Sequence, residues 1–131
     1  MDRPRRQDPI AQLFGEFAER LGGEAWQPAV DVYETEKSLV VQVELAGVRA
    51  EDLRISVDGE RLRIRGVRTP ARDAEIERLH RVEIASGPFE RVLQIGAAFE
   101  RDAVSASLEE GFLRIVLPKR LPARRRIEVE G

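Results

Sequence analysis

An all-β antiparallel sandwich is the fold this sequence predicts, and three observations predict it. From Ala29 onward the apolar residues recur with a period of two rather than 3.6, the period of strands that bury one face. Asp58-Gly59 and Glu109-Glu110-Gly111 punctuate the alternating runs, and glycine turns between such runs mark hairpins. The runs are short and numerous, as antiparallel sheets packed face to face require.

The first element is the exception. Asp8 is a good N-cap and Pro9 suits the first helical position, and Ile10, Leu13, Phe14, Phe17 and Leu21 fall on one helical face before Gly22-Gly23. A helix of about three turns is marginal alone in water, so its apolar stripe must bury against something. Packing onto the sandwich and a sticky arm that binds other apolar surfaces are both open, and composition does not choose. The sole tryptophan, Trp26, follows closely.

In SLVVQVELA, Leu39, Val41, Val43 and Leu45 alternate with Val40, Gln42 and Glu44. In LRISVDGERLRIRG, Leu53, Ile55 and Val57 run out to the Asp58-Gly59 turn, and Leu62 and Ile64 return from it. PFERVLQIG places Phe89, Arg91, Leu93 and Ile95 in alternate positions; AVSASL does the same with Val104, Ala106 and Leu108, and FLRIVL with Leu113, Ile115 and Leu117, which Pro118 terminates. Between Gly66 and Pro88 lies a long charged connection containing EIERLHRVEI, either loop or a detached strand. Connections of that length are usually functional or disordered. The closing stretch KRLPARRRIEVEG has no apolar periodicity until Ile127 and Val129, which share one side of an extended segment. A greasy prong on a charged tail needs a reason, because termini are normally polar or tied down.

Composition narrows the function. At 131 residues, the chain is one domain with short extensions. Charged residues make up 35% and hydrophobic ones 42%, and the formal net charge of −2 predicts no global pull toward nucleic acid. The absence of cysteine excludes disulfides and thiolate metal sites and suits the cytosol. No apolar run reaches the length of a membrane span, and the opening MDRPRRQDP predicts no secretory signal. His80 is the only histidine, no carboxylate spacing resembles an EF-hand, and none of the serines sits in a G-x-S-x-G elbow. No metal, no cofactor and no catalytic residue is therefore expected. Arg61, Arg63 and Arg65, with Arg54 on the preceding strand, read as a solvated face rather than a phosphate stripe, because no interleaved aromatics supply stacking.

These residues together resemble the α-crystallin domain of the small heat-shock proteins over roughly Trp26 to Val129. The opening half, WQPAVDVYETEKSLVVQVELAGVRAEDLRISVDGERLRIRG, carries an acidic turn at Glu51-Asp52-Leu53 and L-x-I-x-G at Leu62, Ile64 and Gly66. ASLEEGFLRIVLPK resembles the family's A-x-x-x-n-G-v-L signature at Ala106, Gly111 and Leu113, running into Leu117-Pro118-Lys119, and Ile127-Glu128-Val129 matches its C-terminal I-x-I/V motif. The chain departs from the pattern at Ala46 and Gly96, where proline is common, at Gln94, where many members are basic, and in its short N-terminal arm.

The resemblance implies an immunoglobulin-like sandwich over 28–118, an N-terminal arm over 1–27 and a C-terminal extension over 119–131. It implies that Ile127 and Val129 dock on a neighbouring subunit, in a groove between the strands bearing Leu53, Ile55 and Val57 and those bearing Val104, Ala106 and Leu108. It also implies a dimer by strand exchange through the connection, with Ile76, Leu79, His80, Val82 and Ile84 in the exchanged segment. Ile10, Leu13, Phe14, Phe17, Leu21 and Trp26 become the client-binding arm. The implied function is cytoplasmic, ATP-independent holding of unfolding proteins by a homo-oligomer, with no nucleic-acid or membrane partner. A co-chaperone of the CS-domain type is the rival on the same fold, and a nucleic-acid-binding sandwich or a small hydrolase the rivals in other classes.

Overall fold

Two-residue hairpins and cross-strand valine and leucine pairs build the architecture. The structure is a computed structural model, and it describes residues 25–120 and 127–131. Among the described residues seven strands follow one another: β1 (Val30–Glu34), β2 (Ser38–Glu44), β3 (Leu53–Asp58), β4 (Arg61–Arg68), β5 (Gly87–Gln94), β6 (Ser105–Glu109) and β7 (Phe112–Pro118). Single 3-10 turns at Ala50–Asp52 and Arg101–Ala103 lead into β3 and β6. One sheet has the order β1-β2-β7-β6, the other β3-β4-β5, and every ladder is antiparallel. The expected helix over residues 10–21 lies outside the described residues.

Both hairpins come out at the predicted turns. Glu110 and Gly111 both take positive φ, 50° and 84°, between paired Glu109 and Phe112, the type I′ geometry that matches the twist of two strands. At the other hairpin Gly59 alone has positive φ, 64°, between paired Asp58 and Arg61, as in a type II′ turn.

The inward faces of the two sheets meet in one core. Val41, Val43, Leu113, Ile115 and Leu117 come from the first sheet, and Leu62, Ile64 and Phe89 from the second, all nearly inaccessible. Register puts Val41 against Ile115 and Val43 against Leu113, so the period-two pattern is what fills the interior. Among the described residues no buried side chain is polar or charged. Gly66 shows how tight the fit is: a Cβ built there would overlap the Asp52 carbonyl oxygen and lie 2.7 Å from Phe89 Cζ.

Two features depart from the sequence reading. Val40, expected outward with Gln42 and Glu44, does lie on the outer face, yet it is only 1% exposed. Its cross-strand neighbours are Tyr33 and Val116, and it lies outside the main core cluster. VDVYE, not singled out as a strand, forms β1 because its backbone pairs with β2 from Val30 to Glu34. The tertiary partner decided this, since Asp31 and Glu34 dilute its apolar pattern.

Candidate functional site

The four outer strands of the sandwich define what the molecule offers to others. β1 and β6 border one sheet, and β3 and β5 border the other. An edge strand carries unpaired backbone donors and acceptors, a template for another chain. On the β3 edge, Leu53 is buried, and Ile55 and Val57 are half-buried against the core. On the β6 side, Val104 and Leu108 are half-buried against the same core, while Ala106 is exposed. The six residues named for the tail groove thus sit on or next to edge strands of opposite sheets.

At the other side of the sandwich, β1 and β5 border an open apolar cleft of about 350 Å³, lined by Val32, Leu39, Leu93 and Ile95 with Glu34 and Gln94 at its rim. The sequence reading did not find this cleft. Its signal is there in part, since Leu93 on β5 and Ile95 just past its end alternate, but Val32 belongs to β1, whose apolar pattern is diluted.

The connection from Thr69 to Ser86 forms no strand in the single chain. Ile76, Leu79, Val82 and Ile84 are exposed along it, Ile84 to 79%, and His80 is exposed as well. A loop that leaves four aliphatic side chains in water is unusual unless something covers them. Ile127 and Val129 are likewise in solvent, at 79% and 92% exposed.

Trp26 has a fixed place. Its carbonyl accepts from Glu90 N–H at 3.2 Å and its indole Nε1–H donates to the Gly87 carbonyl at 3.1 Å. Its ring packs on Phe89 with centroids 5.1 Å apart. The arm residues Ile10, Leu13, Phe14, Phe17 and Leu21 lie outside the described residues.

The outer face of the second sheet carries the arginines. Arg63 pairs with Glu90 at 3.1 Å, and Arg54 stands directly across from Arg65. Among the described residues no group of three or more histidine, aspartate or glutamate side chains could hold a metal ion. No described helix is long and apolar enough to cross a membrane.

A seven-stranded sandwich with this strand order, the glycine-tight β3–β4 contact and an I-x-V tail invites comparison with known proteins. The family model described as Hsp20/alpha crystallin family matches residues 31–130. The chain belongs to this family. Among its relatives, spore protein SP21 of Stigmatella aurantiaca is 34% identical over 104 residues, covering 79% of this chain and 62% of that protein. Small heat shock protein C2 of Rickettsia felis is 32% identical over 105 residues, with 79% and 68% covered. A solved small heat-shock protein from Xylella fastidiosa superposes with a TM-score of 0.69 at 30% identity, covering 82% of this chain and all of that one. The immunoglobulin-like α-crystallin sandwich is thus the fold, and membership of the small heat-shock proteins supports a chaperone role that includes self-association and client binding. SP21 is longer than the matched region, since the chain spans 62% of its length.

Proposed function

We propose that this chain is an ATP-independent holdase of the cytoplasm, which binds unfolding proteins through apolar surface and keeps them from aggregating. The observation that carries the reading is the pairing of exposed adhesive segments with open sheet edges. The loop presents Ile76, Leu79, Val82 and Ile84, the tail presents Ile127 and Val129, and the β1, β3 and β6 edges offer backbone to extended chain, while Trp26 already pairs with part of the β5 edge.

Each pairing has a physical form. The tail adds to the β3 and β6 edges of a neighbour, its two side chains reaching Leu53, Ile55, Val57, Val104, Ala106 and Leu108. Burying Ile127 and Val129 contributes about 1.5–3 kcal/mol each before the tether is ordered. The loop of one subunit adds to an open edge of its partner, where β1 offers exposed Val32 and Tyr33, and this makes the dimer. A client whose own apolar segments are exposed competes for the same kind of surface, together with the arm residues Ile10, Leu13, Phe14, Phe17 and Leu21. Binding the unfolded chain holds it without refolding it.

Light scattering of a heat-unfolding client tests this. Full-length protein is expected to suppress the rise in scattering without nucleotide, and Phe14→Ser with Phe17→Ser is expected to reduce the protection sharply at unchanged domain melting. No suppression at several-fold molar excess would overturn the holdase reading.

A further inference from the structure

The base of the long loop and the root of the N-terminal segment meet at one side chain. Arg68 is the last residue of β4, paired with Gly87 at the start of β5, so the loop leaves and returns beside it. Its guanidinium donates from Nε and from one Nη to the Ala85 carbonyl, at 2.8 and 2.6 Å. The other Nη reaches toward the Ala46 carbonyl at 3.5 Å. The same planar cation lies over the Trp26 ring, 4.3 Å from its centroid. The indole in turn donates to Gly87, the residue at the loop's return.

Three stretches far apart in sequence are therefore held by one fork: the chain at Trp26, the β2–β3 turn at Ala46 and the loop end at Ala85. The chemistry suits arginine and no other residue. Two nitrogens converge on one carbonyl while the flat face stacks on the indole, and lysine has neither the fork nor the plane. Gly87, at a φ of 88°, lets the chain turn back into β5 where a side chain would be strained.

We propose that Arg68 is a positioning residue, a clasp that fixes where the 69–86 loop leaves the sandwich and makes that geometry depend on Trp26. Movement at the root of the N-terminal segment then loosens the loop, and movement of the loop uncovers the indole. Its consequence for assembly rests on the loop reading under Proposed function: a loosened loop must be ordered before it can add to a partner's edge, so self-association weakens.

The test uses the full chain and two readouts. Trp26 is the only tryptophan, so acrylamide quenching of its fluorescence reports the indole alone. Trypsin cleavage after Arg78 and Arg81, both exposed in the loop, reports the loop, because cutting follows the population of open conformers. In Arg68→Gln, quenching is expected to rise and loop cleavage to increase about tenfold, on the scale of losing charge-assisted hydrogen bonds. Trp26→Phe, which keeps a ring against Phe89 but weakens the cation–π contact and removes the indole N–H, is expected to raise cleavage after Arg78 and Arg81, far from Trp26 in the sequence. Arg68→Lys guards against misfolding: it keeps a cation near the ring, and its loop cleavage is expected to stay raised while thermal unfolding is close to wild type.

Unchanged loop cleavage in Trp26→Phe would overturn the clasp, since the ring would then not hold the guanidinium. Sedimentation equilibrium is read separately. Raised quenching and cleavage with unaltered self-association would leave the clasp standing and count against the loop as the dimer contact.

Discussion

Single residues decide whether neighbouring strands can pack. Gly66 lies between Leu53 and Phe89 in register, and the Phe89 ring occupies the space its side chain would need. Gly66→Ala is therefore expected to destabilise the domain by about 1–3 kcal/mol, the usual range for overpacking, as read by urea unfolding. Gly96 is the matched control, because a Cβ there meets nothing within 4 Å and its φ is not positive. Gly96→Ala is expected to be neutral or to stabilise by about 0.4–1 kcal/mol through the unfolded state. Equal effects of the two substitutions would contradict the packing account.

Ala46 makes the opposite case at the same scale. Val48 N–H donates to the Leu45 carbonyl at 3.1 Å, and Gly47 has a φ of 79°. That is a turn with Ala46 at its second position and positive φ at its third, the arrangement that favours proline followed by glycine. Ala46→Pro is expected to raise stability by about 0.4–1 kcal/mol, measured as a higher urea midpoint. A lower midpoint would mean that the backbone at Ala46 does not suit the ring.

At the scale of elements, the strands legible in the sequence were those whose alternation is driven by the core. β2, β3, β4 and β7 place Val41, Ile55, Ile64 and Ile115 inward, and periodicity alone reveals them. β1 was not legible, because it exists through its ladder to β2 and exposes most of its length. Val40 was assigned the right face, but its burial there was not legible, since a local pattern does not show which residues stand across from it. The tail motif was legible as an anomaly, two apolar residues with no domain of their own, whereas the β1–β5 cleft arises from strands distant in sequence and was not. The Arg68–Trp26 contact escaped for the same reason.

The loop carries the element-scale prediction. Deleting Asp73 to Val82 removes Ile76, Leu79 and Val82, none of which contributes to the core cluster. β4 and β5 remain paired from Arg61–Gln94 to Arg68–Gly87, so the shortened connection still joins neighbouring strand ends. The variant is expected to keep its far-UV circular dichroism and to sediment as a monomer at concentrations where the parent dimerises. A dimeric deletion variant would move the contact to another edge.

For the whole molecule, the question is how weak contacts give an assembly that can open. One tail offers two side chains on a tether that, from Lys119 to Ile127, reaches at most about 28 Å. A single tail docked as proposed is therefore weak and readily released, but linking sites within one assembly would make each docking effectively intramolecular and raise the total stability without a new contact. Such an assembly holds together on average while any one edge is free part of the time, which is the condition for a client to gain access. Ile127→Ser with Val129→Ser removes the apolar gain on both side chains and leaves the seven strands untouched, because both residues are exposed in the single chain. Multi-angle light scattering after size exclusion is expected to show large species falling to the loop-paired dimer, with an unchanged unfolding midpoint. Subunit exchange, followed by energy transfer between labelled chains, is expected to become faster at the same protein concentration. An unaltered mass for an assembly larger than a dimer would remove the tail from the account and leave the loop and the N-terminal arm to hold the oligomer together.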